Sequence, residues 1–168
     1  ETTLFVVVSR ELPCGRRRTT TDSREYQRYL DETAPRALYV MLNPSTATEV
    51  QNDPTVERCE RRSRALGFGA FQVCNIFAWR DTDPRNMKAA KDPVGPANNA
   101  TISDACKWAN TIVCAWGTHG AHLARGKEVT KLMRATNLPL FHLGLSKAGH
   151  PKHPLYISYE TQPVLWEV

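Results

Sequence analysis

The sequence predicts an α/β domain, a three-layer sandwich with a mainly parallel central sheet. Short apolar runs of strand length recur along the chain, and helix-like segments fill the gaps between them. The run Ala37–Leu42 (ALYVML) barely alternates, as a strand buried on both faces does. Strand, helix and strand repeated in this order favour a parallel sheet covered by helices.

Leu4–Val8 reads as the first strand and Ala37–Leu42 as the second. Asp53-Pro54 is a helix start, with Asp as N-cap and Pro in the first turn. That helix runs from Thr55 to about Leu66, buries Val56, Cys59 and Leu66, and stops at Gly67. Phe71–Phe77 (FQVCNIF) is a third strand, followed by a polar, turn-rich loop from Asp81 to Pro96. Asn98 to Ala109 is a helix, Thr111–Trp116 a fourth strand ended by Gly117, Ala121–Thr136 a helix, and Leu138–Leu143 a fifth strand. No repeat, low-complexity segment or linker divides the chain, so residues 1–168 are expected to form one domain.

The chain has 168 residues, with 22 Lys+Arg against 17 Asp+Glu, a formal net charge of +5. An apolar content of 41% excludes a disordered tail. No apolar run approaches the ~20 residues needed to span a bilayer. The first apolar run has no basic region before it, so no signal peptide is read and a cytoplasmic protein, without membrane association, is expected. The five cysteines (Cys14, Cys59, Cys74, Cys106, Cys114) are scattered and lack a Cys-x-x-Cys pair, which argues against a disulfide framework or a thiolate metal site. All five histidines lie between His119 and His153.

In open parallel sheets, ligands bind beyond the carboxyl ends of the strands. The residues just past each strand are therefore the candidates. They are Asn43-Pro44-Ser45-Thr46, Asn75 to Arg80, Gly117-Thr118-His119-Gly120, and Gly144 to Leu155.

The runs MLNPSTA (Met41–Ala47), NDPTVERC (Asn52–Cys59), NIFAWRDTDP (Asn75–Pro84), DPVGPAN (Asp92–Asn98), AWGTHG (Ala115–Gly120) and GHPKHPLY (Gly149–Tyr156) resemble a bacterial and phage domain family of unknown function. The likeness extends from Cys14-Gly15 to Tyr156. More distantly, the order of motifs resembles the uracil-DNA glycosylase superfamily. Asn43-Pro44 falls on its water-holding motif, Asn75 on its base-reading Asn, Trp116-Gly117 on its Trp-Gly pair, and His150-Pro151 on its His-Pro loop. The following Arg80 and Pro84 match the Asn…Arg…Pro pattern of some branches. The departures are Met41 where Gly is usual, Ser45 in place of Gly or Tyr, and a last loop one residue longer that lacks its Ser.

The resemblance implies hydrolysis of an N-glycosidic bond. Asn43 would orient the water, and His150 would stabilise the departing base by a hydrogen bond to its oxygen. Asn75 would present a donor and an acceptor to a base edge, with Pro44 beside it and Phe77 or Trp79 as the stacking ring. The base has to leave the duplex to reach such a pocket. Backbone N–H groups at Ser45, Thr46 and the turn Gly117-Thr118-His119 would cradle phosphates, and Arg80, Lys147, Lys152 and His153 would line the nucleic acid.

Each of these residues has a structural alternative. Asn43 before Pro closes a turn. Asn75 can satisfy a neighbouring loop, and His150 can serve its own loop. His119-x-x-His122 and His150-x-x-His153 lack the i, i+4 spacing and supporting carboxylate of helical metal pairs, so no metal site is expected. Arg16–Arg18 and the run Arg58, Arg61, Arg62, Arg64 read first as solvated faces, the second interleaved with Glu57 and Glu60. The tryptophans Trp79, Trp108 and Trp166 read first as packing.

The combined expectation is a uracil-DNA-glycosylase-like fold that processes a nucleobase. Its partner would be nucleic acid, DNA rather than RNA, or a nucleotide, bound by a monomer without a cofactor. Two other classes remain open: a phage-type transferase that modifies the base in the same pocket, and a non-catalytic binding domain.

Overall fold

The computed structural model describes residues 8–11, 34–46 and 53–167. The expected strand Leu4–Val8 lies outside them except for Val8, as do Cys14 and Arg16–Arg18. A six-stranded sheet is ordered β1-β3-β2-β4-β5-β6. Its centre is parallel: β2 (Arg36–Met41) lies between β3 (Ala70–Asn75) and β4 (Thr111–Cys114), and β5 (Leu140–His142) flanks β4. The two edge strands, β1 (Val8–Glu11) and β6 (Val164–Leu165), run antiparallel.

Helix α1 (Pro54–Ala65) follows β2, and the Asp53 carboxylate caps it, accepting from the Thr55 and Val56 N–H groups at 2.9 Å each. Gly67 ends it at φ +77, a left-handed position that suits glycine. Helix α2 (Pro84–Ala89) lies inside the segment expected to be a loop. It is one and a half turns held by the Asp83 cap and Pro84, too short to show apolar periodicity. Helix α3 (Asn98–Trp108) follows, and α4 (Arg125–Arg134) precedes β5.

Strand β2 divides the core by alternation. Ala37, Tyr39 and Met41 pack with Val56 and Cys59 of α1. Leu38, Val40 and Leu42 pack with Ile102 and Cys106 of α3 and with Val129 and Met133 of α4. The sheet is thus the middle of three layers. Cys74 and Cys114 of the sheet, Cys59 of α1 and Cys106 of α3 are all buried, free thiols.

Two further expectations change. The helix expected from Ala121 begins at Arg125, after a 3₁₀ segment Thr118–Ala124 in which Leu123 and Ala124 are both left-handed, φ 53. Gly120 and Gly126 both close on the Trp116 indole. Six residues of α-helix would set them roughly 120° apart, so the helix has to break between them. Second, Arg62 is not on a solvated face but 1% exposed. Its guanidinium donates to the Ser158, Tyr159 and Thr161 carbonyls, and Arg58 donates to Ile157, so α1 holds the C-terminal segment. Arg61 and Arg64 remain exposed and pair with Glu57 and Glu60.

Candidate functional site

The parallel order places the switch between β2 and β4. The β2 crossover reaches β3 on one side, and the β3 crossover returns to β4 on the other. A crevice at such a point is the usual ligand position. Residues 42–46 and 115–120 border it.

Asn43 donates from Nδ2 to the carbonyls of Trp79 (3.2 Å), Asp81 (2.7 Å) and Pro44 (3.2 Å). Three carbonyl acceptors determine which end of the amide is NH2, so Oδ1 is the atom left to meet a water. Pro44 is buried, its carbonyl accepts from the Asp81 N–H at 3.0 Å, and Arg80 Nη1 donates to the Ser45 carbonyl at 2.7 Å. The 43–45 and 79–81 loops are therefore zipped together. Thr46 is exposed beside them.

Asn75 ends β3, directly opposite Met41 in the ladder. It follows the parity of Phe71 and Val73, which face α1. Among the described residues its Oδ1 is buried and has no hydrogen-bond partner. Buried acceptors are rarely left so, and each one calls for an explanation. Phe77 is fully buried in the α3/α4 core with its ring 5.8 Å from His122. It serves packing there and presents no open face for stacking.

A second group of loops forms around Gly117. Gly117 (φ +72) donates its N–H to the Pro151 carbonyl at 2.8 Å, and Lys152 N–H bonds the Gly144 carbonyl at 2.9 Å. The His150 backbone is held by Ser146, whose Oγ accepts from the His150 N–H at 3.1 Å. His153 is half-buried against Gly117, its Nδ1 accepts from the Leu155 N–H, and its charged form is held down to a pKa of about 4 by burial, with Asp53 opposing. Burial and Lys88 likewise lower His119, with Asp83 raising it. Thr118, His119, Lys147 and Lys152 are exposed.

His150 itself lines a groove with Trp116, Trp166 and α4. Among the described residues no hydrogen bond joins it to Asn43 or Asn75. Among the described residues, too, no group of three or more His, Cys, Asp or Glu is placed to hold a metal.

A family model described as a protein of unknown function, DUF1643, matches residues 25–155. The chain belongs to the DUF1643 family. No curated protein and no solved structure matches it.

In this DUF1643 chain many motif residues are structural. Asp83 caps α2, Asp92 accepts from the Gly95 N–H at 3.0 Å, and Asn98 Nδ2 donates to the Ile76 carbonyl at 3.3 Å. The buried Arg125 donates to the same carbonyl at 2.7 Å. The sequence reading missed two features of the site. Asp53 stands beside His153, and Lys127, Lys131 and Arg134 line the His150 groove at a spacing that puts them on one helix face. That i, i+4, i+7 pattern was visible in the sequence, with no acid between them on that face.

Proposed function

We propose that this protein holds a nucleobase of DNA beyond the carboxyl ends of β2, β3 and β4 and acts on its glycosidic bond. The unpartnered, buried Oδ1 of Asn75 carries the reading. A base that donates an N–H to it satisfies an acceptor the protein leaves unmet, while the amide NH2 bonds a base carbonyl. Asn43 Oδ1 accepts from the attacking water, its orientation set by the loop carbonyls. Water adds to the sugar carbon as the bond to the base breaks, the water's second proton is lost to solvent, and the electron pair leaves with the base, whose oxygen accepts a hydrogen bond from His150 until the base anion takes a proton from solvent. The motif order shared with the uracil-DNA glycosylase superfamily supports the same assignment.

One observation favours a second reading, binding without chemistry. Asn43 Nδ2 is already committed to three carbonyls, which by itself explains why an Asn stands there.

The test uses oligonucleotides carrying uracil, hypoxanthine, xanthine or a 5-substituted pyrimidine, with products read by mass spectrometry. Release of free base supports hydrolysis, and a gain of mass on the base assigns group transfer instead. Binding that depends on Asn75 with no product assigns the second reading. If no base is bound in an Asn75-dependent manner, the nucleobase reading falls.

A further inference from the structure

Beyond the crevice, the α4 face carries a groove of about 790 Å3 with the Trp116 indole in its floor. We propose that this groove binds the backbone of single-stranded nucleic acid, with the α4 cations on successive phosphates and Trp166 against a base. The inference deepens the nucleobase reading and rests on it, since it supplies the strand that carries the base.

The floor has an unmet donor. Trp116 is 1% exposed, and among the described residues its buried Nε1–H has no partner. That nitrogen is packed against two glycines of the groove wall. A Cβ built at Gly120 would lie 2.7 Å from it and one at Gly126 2.9 Å from it. Only glycines allow the chain this close to the indole.

The wall has unmet charge. Lys127, Lys131 and Arg134 line the groove, and none has an acidic partner among the described residues. The neighbouring Glu128 is engaged with Arg125 and Asn99. The three cations extend over about 10 Å of helix. A row of that length matches a row of phosphates rather than one anion. At the head of the row α4 has no side-chain cap, because the left-handed Ala124 stands at its N-cap.

The opposite wall supplies the ring and the route to the crevice. Trp166 is half-buried, 5.7 Å from Trp116, and lines the groove with His150 and Pro151. Pro151 is the residue whose carbonyl accepts from the Gly117 N–H, so the groove ends where the crevice begins. Aromatic rings beside a basic track are how proteins hold single strands without reading sequence.

The experiment measures binding of a fluorescein-labelled 12-nucleotide single strand by anisotropy from low to moderate salt, with a matched duplex and free thymidine monophosphate as competitors. The triple variant Lys127→Ala/Lys131→Ala/Arg134→Ala changes exposed or rim side chains, and circular dichroism and a thermal melt check its fold. It is expected to bind at least tenfold more weakly, with a log–log salt slope shallower by about 2, since each phosphate contact on a single strand contributes about 0.7. Trp166→Ala is expected to weaken binding roughly 5- to 150-fold, the range of one lost stacked base, with Trp166→Phe restoring most of it. Unchanged affinity and slope in the folded triple variant overturn the proposal. So does tighter binding of the duplex, or monophosphate that competes as well per molecule as the strand. Asn75→Leu separates the two readings. If it abolishes base discrimination while the triple variant still binds the strand fully, only the groove assignment fails. If it changes nothing while the triple variant loses the strand, only the base assignment fails.

Discussion

Asn43 and Asp81 are joined at 2.7 Å, the Asn43 amide donating to the Asp81 carbonyl. Together with the bond to Trp79 this ties the loop after β2 to the loop after β3. Asn43→Ala removes the tie and leaves two loop carbonyls to find water. It should destabilise the protein by about 1–2 kcal/mol, read as a lower urea midpoint. Asn43→Asp should be at least as damaging, because a carboxylate there faces the same carbonyls. A midpoint unchanged in both variants means the tie contributes nothing.

Asn75 should behave in the opposite way. Its Oδ1 has no partner among the described residues, so Asn75→Leu removes an unmet acceptor and replaces it with apolar volume. The variant should be as stable as the parent or more so, while nucleobase binding is lost. Residues kept for function at the expense of stability commonly show this pairing. A marked loss of thermal stability in Asn75→Leu would identify a structural role instead.

His153 makes stability depend on pH. Its folded pKa of about 4 lies below the usual value near 6.5, with burial as the main cause. Between those values the unfolded chain binds the proton and the folded one does not, so stability falls as pH drops from about 6.5 towards 4. The loss is on the order of 3 kcal/mol once both forms are protonated, and it is fully recovered above about pH 7. Urea titrations at pH 7.5, 6 and 5 on parent and His153→Gln should converge at low pH, the variant being the flatter of the two.

Two glycines should respond differently to alanine. At Gly120 a new Cβ would lie 2.1 Å from Trp116 Cδ1, deep in a packed wall. Gly120→Ala should cost several kcal/mol through overpacking. At Gly67 nothing lies within 4 Å, and only the positive φ of +77 opposes a side chain, so Gly67→Ala should cost about 1 kcal/mol. Thermal melts of the two variants rank them.

Much of this fold was legible because its central strands are short, apolar and separated by capped helices. Asp53, Pro54 and Gly67 mark α1 to within a residue. The antiparallel edge β6 was not legible, since Val164-Leu165 is two residues paired only through tertiary position. The broken start of α4 was hidden because the residues from 121 onward suit a helix, and only the Trp116 indole overrides them. Arg62 was misread for a similar reason. A lone Arg in a charged run looks solvated, and nothing local announces that residues 158–161 fold back to cover it. At the site, Asn75 stood out as a polar residue inside an apolar run, whereas Phe77 two positions on belongs to the core.

The buried thiols Cys59, Cys74, Cys106 and Cys114 have one more consequence. Burial pushes each of them above the ordinary thiol range, so almost no thiolate forms at neutral pH and no reagent reaches the sulfur. The native protein is chemically silent at these positions, and each becomes reactive when the layer around it opens. Cys59 sits on the inner face of α1, while Cys106 on the inner face of α3 and Cys74 and Cys114 of the sheet belong to the core under α3 and α4. Alkylation followed by peptide mapping therefore times the opening of the two helical layers separately, without any probe being added to the molecule.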